Sequence, residues 1–248
     1  MKLFKNIFRT LWRAWFYCLI FFTVLFALPV LLITTAHDKF YKTFYKIARA
    51  WGKTIMFGMG FWSEVKELQK IDDSKSYMFI ANHTSMIDVM LMLSAVKNPC
   101  VFVGKEELTK IPLFGYIFKR SSITVNRGDA SSRKDVYFEA QKRLNNGMSI
   151  CIFPEGLVPE DESVVLSEFK NGAFRLAIEH QIPIVPISFY DCKKRLSYTF
   201  FSGGPGKLRA TIHSFIQTEG KELKDREAVK KEAFNLIYND LISDLKNT

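Results

Sequence analysis

The sequence predicts an α/β fold: a mostly parallel or mixed sheet covered by helices, with an N-terminal membrane-associated helical segment in front of it. Three observations lead there. Residues 14–36 carry no charged side chain. Short β-branched or aromatic runs recur after residue 76, with helical patterns between them. Polar clusters follow several of those runs directly, as they do at the carboxyl ends of strands in α/β sheets.

Composition agrees with a folded chain. Of the 248 residues, 48% are hydrophobic and 15% aromatic, which excludes disorder, and 13 Gly with 8 Pro exclude a collagen-like or low-complexity chain. Lys and Arg number 35 against 25 Asp and Glu, a net charge of +10. That balance calls for an anionic partner: nucleic acid, a membrane surface or an acidic protein. The basic residues are spread along the chain, many beside the apolar segment, and form no nucleic-acid module, so nucleic acid is not expected. The four cysteines, at 18, 100, 151 and 192, contain no CxxC pair and fit core packing in a reducing compartment.

The uncharged run of residues 14–36 would make a helix about 34 Å long, enough to cross a hydrocarbon core of about 30 Å. It is longer and more aromatic than a secretory signal, although Ala36 resembles a cleavage site, and a buried core helix is the other reading. Lys2, Lys5, Arg9 and Arg13 flank it on one side, and Lys39, Lys42, Lys46, Arg49 and Lys53 on the other. With both flanks basic, the positive-inside rule picks no orientation, and a kink at Pro29 would allow a re-entrant or shallow path. Over residues 40–62, Phe40, Phe44, Ile47, Trp51 and Ile55 recur at helical spacing. This reads as an interfacial amphipathic helix with Trp51 and Trp62 at headgroup depth, or as a surface helix packed on the main domain. The division is therefore 1–62 for membrane-anchoring helices and 63–248 for the main domain.

In that domain, strands are expected at 77–81, 100–103, 122–125, 149–153, 184–190 and 208–216. Several are continuously apolar, as buried strands are. Helices are expected at 131–146, ending at Gly147, at 169–180, and at 222–245 with Val229, Ala233, Ile237, Leu241 and Leu245 on one stripe.

The chemistry follows the strands. The first strand runs into Asn82-His83-Thr84-Ser85-Met86-Ile87-Asp88. Five residues apart, His83 and Asp88 would stand about 140° from each other on an ideal helix, so at least one must lie in the turn before it. A turn folding back lets Asp88 fix one nitrogen of His83 and leaves the other as a base. Glu155 and Gly156, in Phe153-Pro154-Glu155-Gly156, follow another buried strand, with Gly156 permitting close backbone approach. A third strand delivers Arg127, suited to bidentate phosphate binding, and Lys105 is a second cation after a strand.

Taken in order, these blocks resemble the glycerolipid acyltransferases typified by 1-acylglycerol-3-phosphate acyltransferase. Residues 82–88 look like the family's NHxxxxD block. Lys105-Glu106-Glu107-Leu108 with Ile111-Pro112-Leu113-Phe114-Gly115 is similar to its KxEL and PxxG stretch. Val125-Asn126-Arg127 resembles the block ending in a phosphate-binding Arg. Phe153-Pro154-Glu155-Gly156, then Phe169-Lys170-Asn171-Gly172-Ala173, resemble FPEG and FKxGA, and Ile184-Val185-Pro186-Ile187 resembles the last apolar strand. The family's FPEG continues into Thr-Arg, whereas Gly156 here precedes Leu157-Val158-Pro159 and the acidic residues Glu160, Asp161 and Glu162.

The resemblance implies an enzyme at a membrane that moves an acyl group from a thioester, acyl-CoA or acyl carrier protein, to a lysolipid hydroxyl, with its catalytic domain on the cytoplasmic face. The first acceptor to expect is 1-acylglycerol-3-phosphate, giving phosphatidic acid; another lysolipid, such as a monoacylated amino acid, stays open. His83 would be the general base and Asp88 its orienting partner. Arg127 and Lys105 would hold the anionic head group, and Glu155 with Gly156 would shape the acceptor pocket. No metal and no cofactor beyond the acyl donor is required. A phospholipid–lysophospholipid transacylase would use the same residues, and a membrane-anchored lipid-binding protein is the non-enzyme alternative.

Overall fold

The apolar runs are strands, and the patterned stretches between them are helices. The computed structural model describes residues 2–126, 130–161 and 163–247. In chain order the elements are α1 (Lys2–Thr34), α2 (Tyr41–Gly58), β1 (Phe61–Glu67), β2 (Met78–Ala81), α3 (Ile87–Ala95), β3 (Cys100–Lys105), α4 (Phe114–Ser121) and β4 (Ile123–Val125). They continue with α5 (Ala130–Asn145), β5 (Ser149–Ile152), α6 (Gly172–Glu179), β6 (Ile184–Phe189), α7 (Cys192–Leu196), β7 (Gly206–Ile212) and α8 (Arg226–Asn247). The protein is thus α/β, with seven strands among the described residues and helical cover.

The chain divides into two units. The first takes the residues up to Val65, Thr84–Lys97 and Phe189–Ala210. Here α1 begins well before the uncharged run, so Lys5, Arg9 and Arg13 are helical, and it continues through Pro29. Phe16, Val24 and Leu31 are buried, while Phe4, Phe8, Phe22 and Phe26 are exposed. The indoles of Trp12 and Trp15 donate to the carbonyls of Met59 (3.2 Å) and Gly58 (2.9 Å) at the end of α2. Helix ends leave carbonyls without intrahelical partners, and these two are satisfied by α1.

The apolar stripe of α2 is committed to protein contact. Tyr41, Phe44, Tyr45, Ile55 and Met56 are buried. A methyl group on Gly52 would stand 3.2 Å from Leu93 Cβ and 3.3 Å from the Met90 carbonyl, so α2 and α3 cross where only glycine fits. Tyr45 donates to Val96 O, Arg49 to Leu93 O, and Trp51 to the Thr23 hydroxyl. The stretch 40–62 is thus not a single helix: α2 ends at Gly58 and Trp62 lies exposed in β1, while Phe44 and Ile55 are buried against protein and Phe40 and Phe57 are exposed. Gly60, at φ +74°, makes the turn between them. β1 and β7 are neighbours.

The second unit takes Lys66–His83, Asn98–Ser188 and the chain from Thr211 onward. Its sheet runs β6-β2-β5-β3-β4, with every neighbouring pair parallel. Met78 is level with both Ile150 and Ile184, Val101 with Ile150, and Lys105 with Val125. Met78, Phe79, Ile80, Ile150, Ile184 and Val185 are fully buried, which explains the continuously apolar strands. α8 buries Val229, Ala233, Ile237 and Leu241, but Leu245 is 61% exposed, so the apolar stripe stops one turn early. A capping box of Glu222 and Asp225 opens the turn before α8.

Candidate active site

Parallel pairing brings the polar clusters out at one end of the second unit's sheet. β2 ends at Ala81 and delivers Asn82 and His83; β5 ends at Ile152 and delivers Phe153 to Gly156. β3 ends at Lys105, whose side chain is exposed, and β4 ends beside it at Val125. Arg127, expected to follow β4, lies outside the described residues.

His83, Glu155 and Gly156 meet. The His83 imidazole stacks on the Phe153 ring, with centroids 4.4 Å apart and planes 18° from parallel. The His83 backbone N–H donates to Glu155 Oε1 at 2.6 Å, and the Ser167 N–H donates to Oε2 at 2.8 Å. Glu155 is buried, and burial pushes its carboxyl up from the usual range against the opposing pull of these donors and of His83. Buried carboxylates need such donors, because an unpaired one is costly to desolvate.

Gly156 has φ +78°, and its N–H closes a turn on the Phe153 carbonyl. A methyl group there would stand 3.1 Å from the Lys170 side chain. Beside this loop lies a cleft of ≈ 520 Å³ lined by Glu155, Leu157, Ser167, Lys170, Asn171 and Lys230, among others. Lys170 N–H donates to Pro154 O, which ties the segment after Ser167 to the loop, and Lys230 pairs with Glu227 at 2.7 Å.

Asp88 belongs to the first unit, in the first turn of α3. It is fully buried, and its Oδ2 accepts the N–H groups of Thr84 (2.6 Å) and Ser85 (2.8 Å). The carboxylate therefore caps the turn that follows His83, which explains why an acid stands at this spacing. The Ser85 hydroxyl donates to Leu196 O. Cys192 is buried, and its thiol is pushed up first by burial and next by Asp88.

Sequence reasoning quoted Phe153 only as part of its motif, but it is the surface on which the histidine ring rests. Ser167 and Lys230 carried no motif signal. Lys230 comes from α8, far along the chain, and only the folded topology brings it to the cleft.

The chain has counterparts among known proteins. The acyltransferase family pattern matches residues 63–190, more than half of the chain, and the chain belongs to that family. More particularly, it is 28% identical over 181 residues to 1-acyl-sn-glycerol-3-phosphate acyltransferase beta of Homo sapiens, covering 70% of this chain and 62% of that protein. It is 30% identical over 191 residues to the alpha protein of Ovis aries, covering 74% and 64%. The matched part thus spans slightly under two thirds of these curated relatives. The crystal structure of the 1-acyl-sn-glycerophosphate (LPA) acyltransferase PlsC from Thermotoga maritima shares the fold, with a TM-score of 0.77 at 23% identity over 100% of this chain and 99% of that one.

Proposed function

We propose that this protein is a membrane-associated O-acyltransferase that moves a fatty acyl group from a thioester, acyl-CoA or acyl carrier protein, to the free hydroxyl of 1-acylglycerol-3-phosphate, giving phosphatidic acid. The observation that carries the reading is the His83 ring stacked on Phe153, with its backbone held by buried Glu155. His83 takes the proton of the acceptor hydroxyl as that oxygen attacks the thioester carbonyl carbon. The tetrahedral intermediate collapses, the C–S bond breaks, and the imidazolium returns the proton to the departing thiolate. Base assistance of this kind is worth about 10²–10⁴-fold.

Asp88 orients and stabilises the imidazolium. Arg127 and Lys105 hold the phosphate, and Glu155 with Gly156 shapes the acceptor pocket. α1 anchors the protein: Leu3–Thr34 is long and apolar enough to cross a membrane by length and composition. The catalytic part works on the cytoplasmic face.

One observation favours a second acceptor. The family's motif supplies an Arg two residues after its Gly, and Val158 stands there in this chain. A lysolipid with a different head group, such as a monoacylated amino acid, is the acceptor that this departure suits.

The deciding experiment is acyl transfer by the purified protein to a panel of lysolipids, with acyl-CoA and acyl carrier protein as donors. The reading expects phosphatidic acid as the main product and no transfer by His83→Ala. Arg127→Ala should raise the KM for the phosphate acceptor at least about tenfold and leave the donor's KM unchanged, since a charge-assisted contact contributes about 1.5–3 kcal/mol. Transfer to uncharged or amino-acid lysolipids alone would select the second acceptor; no transfer to any would overturn both.

A further inference from the structure

The loop between α7 and β7 exposes aromatic rings at Tyr198, Phe200 and Phe201, with 57%, 51% and 50% of their surfaces open. Three large rings within four residues of a short turn are an unusual load to leave in water.

The loop is held in shape. Arg13 of α1 donates to the carbonyls of Ser197 (2.8 Å), Thr199 (2.7 Å) and Ser202 (3.3 Å), and Arg9 donates to Phe201 O at 2.6 Å. Ser197 and Ser202 bridge its neck through their hydroxyls at 2.6 Å. Gly203, at φ +87°, passes so near the Arg195 carbonyl that a side chain there would collide with it. These bonds occupy the backbone and leave the rings outside.

Two features identify what meets the rings. They are held by α1, whose stretch Leu3–Thr34 is long and apolar enough to cross a membrane by length and composition. Lys194, exposed on α7 just before the loop, adds positive charge beside the apolar tip. Aromatic rings with cations at their margin match the boundary of a bilayer containing anionic lipid.

We infer that the Tyr198–Phe201 loop is a membrane-inserting element, fastened to α1 by Arg9 and Arg13, that seats its rings among the acyl chains of an anionic bilayer. The loop's neck is tied to the turn that Asp88 caps: the Ser85 hydroxyl donates to Leu196 O, and the Tyr198 phenol is raised by burial and then by the charge of Asp88, so Tyr198 marks the loop's inner end and Phe200 and Phe201 are the inserting rings.

The test uses the full chain and does not depend on activity. Phe200→Trp places an indole in the loop, to be read against the wild-type protein in vesicles of phosphatidylcholine with about a quarter phosphatidylglycerol. Brominated acyl chains should quench the added indole, and aqueous iodide should not. Quenching of the added indole by iodide and not by brominated lipid overturns the inference. Shielding from both quenchers also overturns it and places another protein surface, a second copy of the chain, on the loop. If lipid quenching is seen but no acyltransferase activity is found, the loop assignment stands and only the functional reading falls.

Discussion

The backbone N–H of His83 is held by the side chain of Glu155 at 2.6 Å, with the other carboxylate oxygen bound by Ser167 N–H at 2.8 Å. The glutamate that ends one strand thus fixes the main chain leaving its neighbour. Glu155→Ala would strip both donors of their partner. Each such loss costs about 1–3 kcal/mol, so the melting temperature should fall by roughly 4–15 °C and turnover at least tenfold. Glu155→Gln keeps one acceptor and removes the desolvated charge, so its thermal loss should be smaller. Calorimetry with initial rates on the three proteins decides; an Ala variant indistinguishable from wild type removes the brace.

His83→Ala should lower acyl transfer by about 10²–10⁴-fold and keep the backbone brace, because the N–H held by Glu155 is unchanged. Asp88→Asn should cost less activity, since an amide oxygen still accepts from Thr84 and Ser85. Asp88→Ala loses that cap as well and should be less stable by about 0.5–2 kcal/mol. Equal stability of the Asn and Ala forms would deny Asp88 its capping role.

Gly156→Ala puts a side chain where φ is +78° and 3.1 Å from Lys170. The left-handed conformation alone costs about 1–2 kcal/mol. Adding Lys170→Ala should relieve the crowding and leave the conformational cost, so the double variant should be more stable than the sum of the two singles. Strict additivity would show that the Lys170 chain moves aside freely.

His213 gives a pH signature. Its Nε2 lies 2.7 Å from Ser188 Oγ and 3.3 Å from Asp240, and burial lowers its pKa despite that carboxylate. A lowered folded value means that the unfolded chain takes up the proton first. The stability His213 contributes is therefore present above about pH 6.5 and is lost as pH falls through that value toward the folded one. His180 is shifted the same way, again by burial. Melting temperatures between pH 8 and pH 5 should fall on acidification, and His213→Gln should flatten the slope; a slope unchanged by that variant would assign the effect elsewhere.

The fold was legible where burial is two-sided. The runs at 77–81, 149–153 and 184–190 are apolar but for Ser149 and Ser188 because both faces of those strands are covered, and all three are strands at nearly the expected positions. β1 was not legible: Trp62, Glu64 and Lys66 alternate with apolar residues just after a helical stripe, so periodicity alone continued the helix past the Gly60 turn. At the candidate site, the residues that share one sheet end could be read because motifs directly follow apolar runs. Their bracing could not, since Ser167 and Lys230 reach the cleft by backbone and helix placement and carry no local pattern.

The indoles of Trp12 and Trp15 on the carbonyls of Met59 and Gly58 make the greasy N-terminus part of the folded body. Trimming residues 1–36 to obtain a protein that needs no detergent would bare the end of α2, unpack buried Phe16 and release the two arginines that hold the aromatic loop. Such a shortened chain would lose activity through structural collapse as well as through lost lipid contact, so its inactivity would say little about where the enzyme works. Solubility is better sought by recolouring the outward face of α1, beginning at Phe26, which is 91% exposed, with polar side chains while the inward face is kept.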